Sequence, residues 1–330
     1  MNLLCSRYVI LLATALAVTL LVPLALGGTG LLDTLAIFPG SQLVYMLGLV
    51  LVCWNLNALR LRLLLAGRAG HLGQCRAVAM VMATEFAICA TPGGSGGPVT
   101  LLALLARRGL RPARASAIFM VDQLSDLLFF LIAMLGVITH VMFSTLEWQY
   151  EGLVGLSTLS LLILLLASWW VIRHLPVLLR LGNAFLIRLG IPLQRRRGLG
   201  RHLLHFRHAL QVTLQLPRST LTAIFTLCAM HWLLRYSVLY LAIQGLGASL
   251  DWGWTFMVQM LSMAAGQLSL LPGGAGGAEL TSSALLIPSI GQQQATAAVT
   301  IWRFVTYHFY LLAGAPAFLT LAGRILWRPA

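Results

Sequence analysis

Residues 254–288 read WTFMVQMLSMAAGQLSLLPGGAGGAELTSSALLIP. The stretch is apolar except at Pro272-Gly273-Gly274-Ala275-Gly276-Gly277, which cannot continue a helix. Proline lacks the backbone donor, and four closely spaced glycines lose too much conformational freedom. The apolar piece that follows, 278–288, covers only about 16 Å, roughly half a bilayer. A second stretch, 77–106, is broken in the same way by Thr91-Pro92-Gly93-Gly94-Ser95-Gly96-Gly97-Pro98 and followed by an apolar piece at 98–106. Both predict a re-entrant helical hairpin with its glycine turn deep in a membrane.

The rest of the chain fits that setting. Of 330 residues, 59% are hydrophobic and 9% charged, against about 25% charged in soluble domains. The 22 basic residues are all arginine, set against 8 acids, for a net charge of +14. Without lysine the chain lacks the phosphate-binding residue of a P-loop ATPase and the Schiff-base residue of a pyridoxal-phosphate enzyme. Cys5, Cys53, Cys75, Cys89 and Cys228 are scattered, with no C-x-x-C pair, so no metal or other cofactor is expected.

Six full spans are expected, at 8–26, 41–59, 115–142, 153–172, 219–244 and 295–322. Arg7 and Ala25-Leu26-Gly27 give the first span the look of a signal peptide. Nineteen apolar residues are long for one, however, and retention is expected. With the N-terminus inside, 20 of 22 arginines fall on the cytoplasmic side, including Arg60, Arg62, Arg324 and Arg328. The external loops hold Asp33, Glu147, Glu151 and Asp251. Both termini are therefore expected in the cytoplasm of a cell with a bacterial-type inner membrane. The segment 173–218 carries nine arginines and no acid. It reads as interfacial, attracted to anionic headgroups, which removes the case for nucleic acid. Its His202, His205 and His208 have a spacing that would also suit a metal.

The expected fold is an all-α polytopic membrane protein, one domain over 1–330, with two copies of one unit at about 41–142 and 219–322. Trp54 precedes Pro92 by 38 residues and Asp122 follows it by 30. Trp232 precedes Pro272 by 40 residues and Arg303 follows it by 31. The opening span of the first copy runs inward and that of the second outward, an inverted-topology repeat of the kind secondary transporters use. A half-helix beginning at a glycine turn offers N–H groups and a positive dipole end, so the expected ligand group is an anion, with phosphate foremost. The candidate binding residues are therefore Gly93, Gly94, Ser95 and Gly96 in the first turn and Gly273, Gly274, Gly276 and Gly277 in the second. The alternative is that the glycines serve only close helix packing.

Glu85, Asp122, Asp126, Arg235, Glu279 and Arg303 are ionisable residues inside expected spans or hairpins and join the candidate set. Helical rise places Asp126 and Arg303 about 17 and 18 Å from the cytoplasmic boundary, so they could pair. Arg235 lies nearer the outer boundary, where it could snorkel. Glu279, just past the second turn, could cap a helix, carry a proton or hold a cation, and Glu85 has the same choices.

At these residues the chain resembles the integral-membrane, flippase-like domain of the lysylphosphatidylglycerol synthetase family. The likeness rests on TPGGSGG (91–97), RRGLRPARA (107–115) and VDQLSDLLFF (121–130). In the second half it rests on LSLLPGGAGGAEL (268–280) and ALLIPSIGQQQATAAVTIWRFVTYHFYLLAG (284–314). The resemblance implies that Glu279 and Arg303 occupy the motif's acidic and basic positions, and that Asp122 and Asp126 stand where the first repeat carries an acid. Gly97-Pro98 departs from the acid the family often has after the first turn. The soluble aminoacyl-transferase domain is not expected, so the resemblance implies translocation of a phospholipid or polyprenyl-linked lipid and no synthase activity.

Three other functions are open at this level. A carrier of a small anionic solute would share the architecture. A scaffold for a lipid-modifying enzyme would need no transport. Gly93-Gly94-Ser95-Gly96 also matches the G-x-S-G of rhomboid-type serine proteases, with His231 and His308 as bases. The second copy has Ala275 where the first has Ser95, so the two share backbone shape and not a hydroxyl, and no catalytic residue is expected.

Overall fold

The computed structural model describes residues 2–68, 70–143, 151–188, 205–206 and 208–321. Its elements are α1 (Asn2–Gly27), α2 (Gly30–Ala36), α3 (Gly40–Leu65), α4 (Gln74–Ala90), α5 (Gly96–Arg107), α6 (Pro112–Phe143) and α7 (Glu151–Arg188). After these come α8 (Arg218–Gly245), α9 (Trp252–Leu268), α10 (Gly277–Ile290), α11 (Gln292–Arg303), a π-turn (Phe304–His308) and α12 (Phe309–Leu321). No β-strand occurs among the described residues. Local chemistry sets several boundaries. α6 starts on Pro112, whose missing N–H is no loss in a first turn. Asp251 caps α9 by accepting from the Trp254 N–H at 3.0 Å.

Five helices are long and apolar enough to cross a bilayer: Ile10–Gly27, Gly40–Leu65, Pro112–Val137, Arg218–Gly245 and the composite Gln292–Leu321. The sixth expected span, 153–172, falls inside α7, whose apolar stretch is Thr158–Val171. Only 17–33% of each span's apolar window is buried by protein. Leu20, Leu21, Val44, Leu312 and Leu319 are among the side chains left exposed. So much contiguous apolar exterior belongs in hydrocarbon.

Two boundaries move. The second span does not stop at residue 59: α3 runs on to Leu65, so Arg60 and Arg62 are helical and Arg60 is 2% exposed. Arg60 is therefore no cytoplasmic-loop residue. The half-helices after the turns are also longer than 98–106 and 278–288, because α5 begins at Gly96 and α10 at Gly277. The helices before the turns, α4 and α9, are 17 residues each.

The chain divides into two compact units. One comprises Met1–Leu59, Leu72–Leu104 and Met230–Ala330. In it α12 packs along α4, and Gly314 lies against the Met82 carbonyl and Phe86. α9 and α10 pack as a hairpin, and α1 lies on α10 and α11. Trp54 stacks on Phe309 at 5.6 Å and meets Tyr310 edge-on at 5.1 Å. The other unit comprises Arg60–His71 and Leu105–Ala229, with α6 packed on α7. There Arg68 donates to Thr213 Oγ1 at 3.0 Å and to the Leu64 and Leu65 carbonyls. His205 and His208 are exposed, while His202, Glu147, Arg324, Arg328 and Arg195, Arg196, Arg197, Arg201 and Arg207 lie outside the described residues.

Candidate functional site

The two glycine turns have one backbone. Gly94 N–H donates to the Thr91 carbonyl at 3.2 Å, and Ser95 N–H to that of Pro92 at 3.3 Å. In the second turn Gly274 N–H donates to Leu271 at 3.2 Å and Ala275 N–H to Pro272 at 3.3 Å. Gly93 and Gly94 have φ of +58° and +67°, Gly273 and Gly274 +63° and +69°. The turns also meet: Pro92 and Pro272 form an isolated antiparallel bridge. Neither proline has an N–H to contribute to it.

The turns differ in what closes them. In the first, Thr91 Oγ1 donates to the Ala87 carbonyl at 2.7 Å and accepts from Gly96 N–H at 2.8 Å. In the second, Glu279 Oε2 accepts from Gly276 N–H at 2.7 Å. The threonine hydroxyl thus does for the first half-helix what the carboxylate does for the second, which explains why Gly97-Pro98 can stand where an acid was expected. Gly276 N–H is taken by the chain's own carboxylate, the capping role that was one of three open for Glu279. Several glycines serve packing as well: a Cβ on Gly277 would lie 2.8 Å from the Ala265 carbonyl oxygen, and one on Gly96 2.8 Å from that of Ala87.

Two ion pairs belong to this unit. Arg303 Nε lies 2.5 Å from Glu279 Oε1, and Arg303 Nη2 donates to the Gly273 carbonyl at 2.9 Å. The guanidinium lies 4.6 Å from the centre of the Tyr307 ring. Side-chain exposure is 2% for Arg303 and 0% for Glu279, a sealed pair that clamps the second turn. Arg235 and Glu85 are looser, with Nη1 3.4 and 3.5 Å from the two carboxylate oxygens and exposures of 14% and 12%. Arg235 therefore does not snorkel. Its guanidinium lies 4.7 Å from the Tyr310 ring centre and 5.7 Å from that of Trp232.

In the other unit Arg60 holds both aspartates. Its Nη1 donates to Asp126 Oδ1 at 2.7 Å, and Nη2 lies 2.9 Å from Asp122 Oδ1 and also donates to the Asp122 carbonyl. Cys228 Sγ donates to Asp126 at 3.3 Å. The expected Asp126–Arg303 pair is thus replaced by two others, Asp126 with Arg60 and Arg303 with Glu279. Depth along a helix had suggested the pairing, but a pair also requires facing directions, which depth does not supply.

Sequence reasoning missed Arg60, Thr91, Tyr307 and Tyr310 as parts of these clusters. Arg60 could have been found from the apolar Leu61 and Leu63–Leu65 that follow it. The tyrosines could not, because the π-turn resets their direction. Such single-turn widenings are frequent at functional sites. The hydrolase residues are engaged elsewhere. Ser95 Oγ donates to the Pro92 carbonyl at 3.0 Å and is exposed. His308 contacts Thr19 Oγ1 at 3.1 Å and the Arg303 carbonyl at 3.3 Å, and His231 contacts the Cys53 carbonyl at 3.2 Å. Ser95→Ala is accordingly expected to leave the thermal midpoint of purified protein within about 0.5 kcal/mol of wild type. A larger change would show that the hydroxyl matters. A surface cavity of about 550 Å³ is lined by Thr34, Ile37, Leu246 and residues 290–294 and contains none of the expected site residues.

A family model described as the lysylphosphatidylglycerol synthase TM region matches residues 9–314, spanning both turns, both Glu–Arg pairs and the Arg60 cluster. The chain belongs to that family. As a member of the lysylphosphatidylglycerol synthase TM-region family it is a multi-pass helical membrane protein. It is similar to a UPF0104 membrane protein of Archaeoglobus fulgidus, 21% identical over 268 residues that make up 79% of this chain and 81% of the relative.

Proposed function

We propose that the chain moves a phospholipid or polyprenyl-linked lipid between leaflets, with the phosphate-bearing headgroup held beside the two glycine turns. The observation that carries this is the bridge between Pro92 and Pro272, with a Glu–Arg pair associated with each hairpin. The matched backbones of the turns support an inverted-topology repeat, in which re-entrant hairpins enter from opposite faces among six spans and rocking of the repeats alternates access. The family's name includes lysylphosphatidylglycerol, a lipid with the phosphodiester this chemistry suits. In this reading the chain is a transporter and not an enzyme, needs no cofactor and binds no nucleic acid. Arginine placement supports cytoplasmic termini in an inner membrane, and a lipid-modifying enzyme would be a natural partner.

The test is reconstitution into liposomes holding a fluorescent phosphatidylglycerol in both leaflets, with a membrane-impermeant quencher added outside. Lipid movement should bleach the inner-leaflet signal far faster than in protein-free liposomes. The same vesicles should take up no soluble organic phosphate. Uptake of the solute without lipid movement would instead establish an anion carrier, and neither would end the transport reading.

A further inference from the structure

The two Glu–Arg pairs differ in a way that separates their roles. Charge-assisted N–H···O bonds are normally about 2.7–2.9 Å. Arg303–Glu279 is at least that close and is sealed, whereas Arg235 reaches Glu85 only at 3.4–3.5 Å and both side chains retain some exposure. Next to the loose pair are two buried donors with nothing to bond. Tyr310 is 0% exposed and Trp54 1%, and neither the Tyr310 hydroxyl nor the Trp54 Nε1 has a hydrogen-bond partner among the described residues. Both belong to the same cluster, since the Tyr310 ring faces the Arg235 guanidinium at 4.7 Å and Trp54 meets Tyr310 edge-on at 5.1 Å. Buried donors are nearly always satisfied, so two orphans beside an underused guanidinium require an account.

We infer that Arg235 and Glu85 form an exchangeable pair: a phosphate ester displaces the Glu85 carboxylate from Arg235 and is held by the guanidinium, the Tyr310 hydroxyl and the Trp54 indole N–H. The donor set decides the ligand class. Arginine and the indole N–H can only donate, and Glu85 is the acceptor now facing Arg235. A planar carboxylate anchored on α4 leaves Tyr310 and Trp54 unbonded. A tetrahedral anion with several acceptor oxygens can meet donors that arrive from different sides. Glu85 then acts as the resident counter-ion that keeps Arg235 paired between ligands, while Glu279–Arg303 stays closed. This deepens the transport reading and rests on it for the identity of the phosphate's carrier.

The test is calorimetric titration of the purified full-length protein in detergent with three probes: dioctanoyl phosphatidylglycerol, inorganic phosphate and dioctanoylglycerol. Wild type should bind the first and not the third. Binding of inorganic phosphate as tight as that of the lipid would mark a free-anion site, and weaker binding a headgroup site. Glu85→Gln should bind the phosphate probe about tenfold tighter, because the competing anion is gone. Arg235→Gln should bind it on the order of 100-fold more weakly. Tyr310→Phe removes one oxygen and leaves the packing intact, and should weaken binding about 3- to 10-fold. Glu85→Gln binding that is unchanged or weaker overturns the proposal, as does unchanged binding in Tyr310→Phe should a charge variant fail to fold. Tighter binding by Glu85→Gln in a protein that moves no lipid keeps this site and removes the translocation reading. Lipid movement with binding indifferent to Glu85 does the reverse.

Discussion

Glu279→Gln should lower the thermal midpoint of the detergent-purified protein by the equivalent of about 3–5 kcal/mol, the loss typical when one partner of a buried ion pair is removed. Glu279 has no exposed side-chain surface and Arg303 2%, so water cannot replace the missing charge. The same carboxylate also accepts the Gly276 N–H, so an amide in its place serves one of two neighbours less well. Replacing both members, Glu279→Leu with Arg303→Met, should recover most of the loss, because the uncompensated charge is gone and side chains of similar volume remain. A deficit of about 1 kcal/mol should persist for the cap. A Glu279→Gln protein that melts with wild type would mean that the pair contributes nothing to holding the second turn.

Gly274→Ala should be nearly as severe, about 2–4 kcal/mol, from a left-handed backbone and a collision acting together. Its φ is +69°, and a Cβ there would lie 2.7 Å from the Gly266 Cα and 3.0 Å from its carbonyl carbon. The neighbour is main chain in the middle of a packed hairpin, so no side chain can rotate away. Gly28→Ala is the matched control. Its φ is +63°, yet nothing lies within 4 Å of its added Cβ. It should show the backbone effect alone, about 1–2 kcal/mol. Equal midpoints for the two variants would rule out close packing of the turn on α9 as a source of stability.

Much of this molecule is legible in its sequence, and the division between what is and what is not has a physical basis. The spans and glycine breaks follow from composition along one dimension, which hydropathy and proline report directly. Glu279 as a cap was one of its open alternatives, since its position past the turn is a local property. The partners of Asp126, Arg235 and Arg303 were not legible. Pairing depends on which way a side chain faces around its helix and on which helices are neighbours, and neither is local. Arg60 is hidden for a different reason: a span defined by apolar residues ends at its first charge, although the hydrogen-bonded helix continues through it. Tyr307 lies in the π-turn and Tyr310 just beyond it, and the turn changes the angular count, so their orientation is not readable from a 3.6-residue period.

The unequal closures of the two turns have a mechanical consequence. The first is latched by a neutral hydroxyl, worth about 1 kcal/mol, and the second by a carboxylate in a buried ion pair, where losing one partner costs several times as much. Fraying of a half-helix from its glycine turn is therefore the cheaper event at Thr91–Gly96 and the costlier one at Gly276–Glu279.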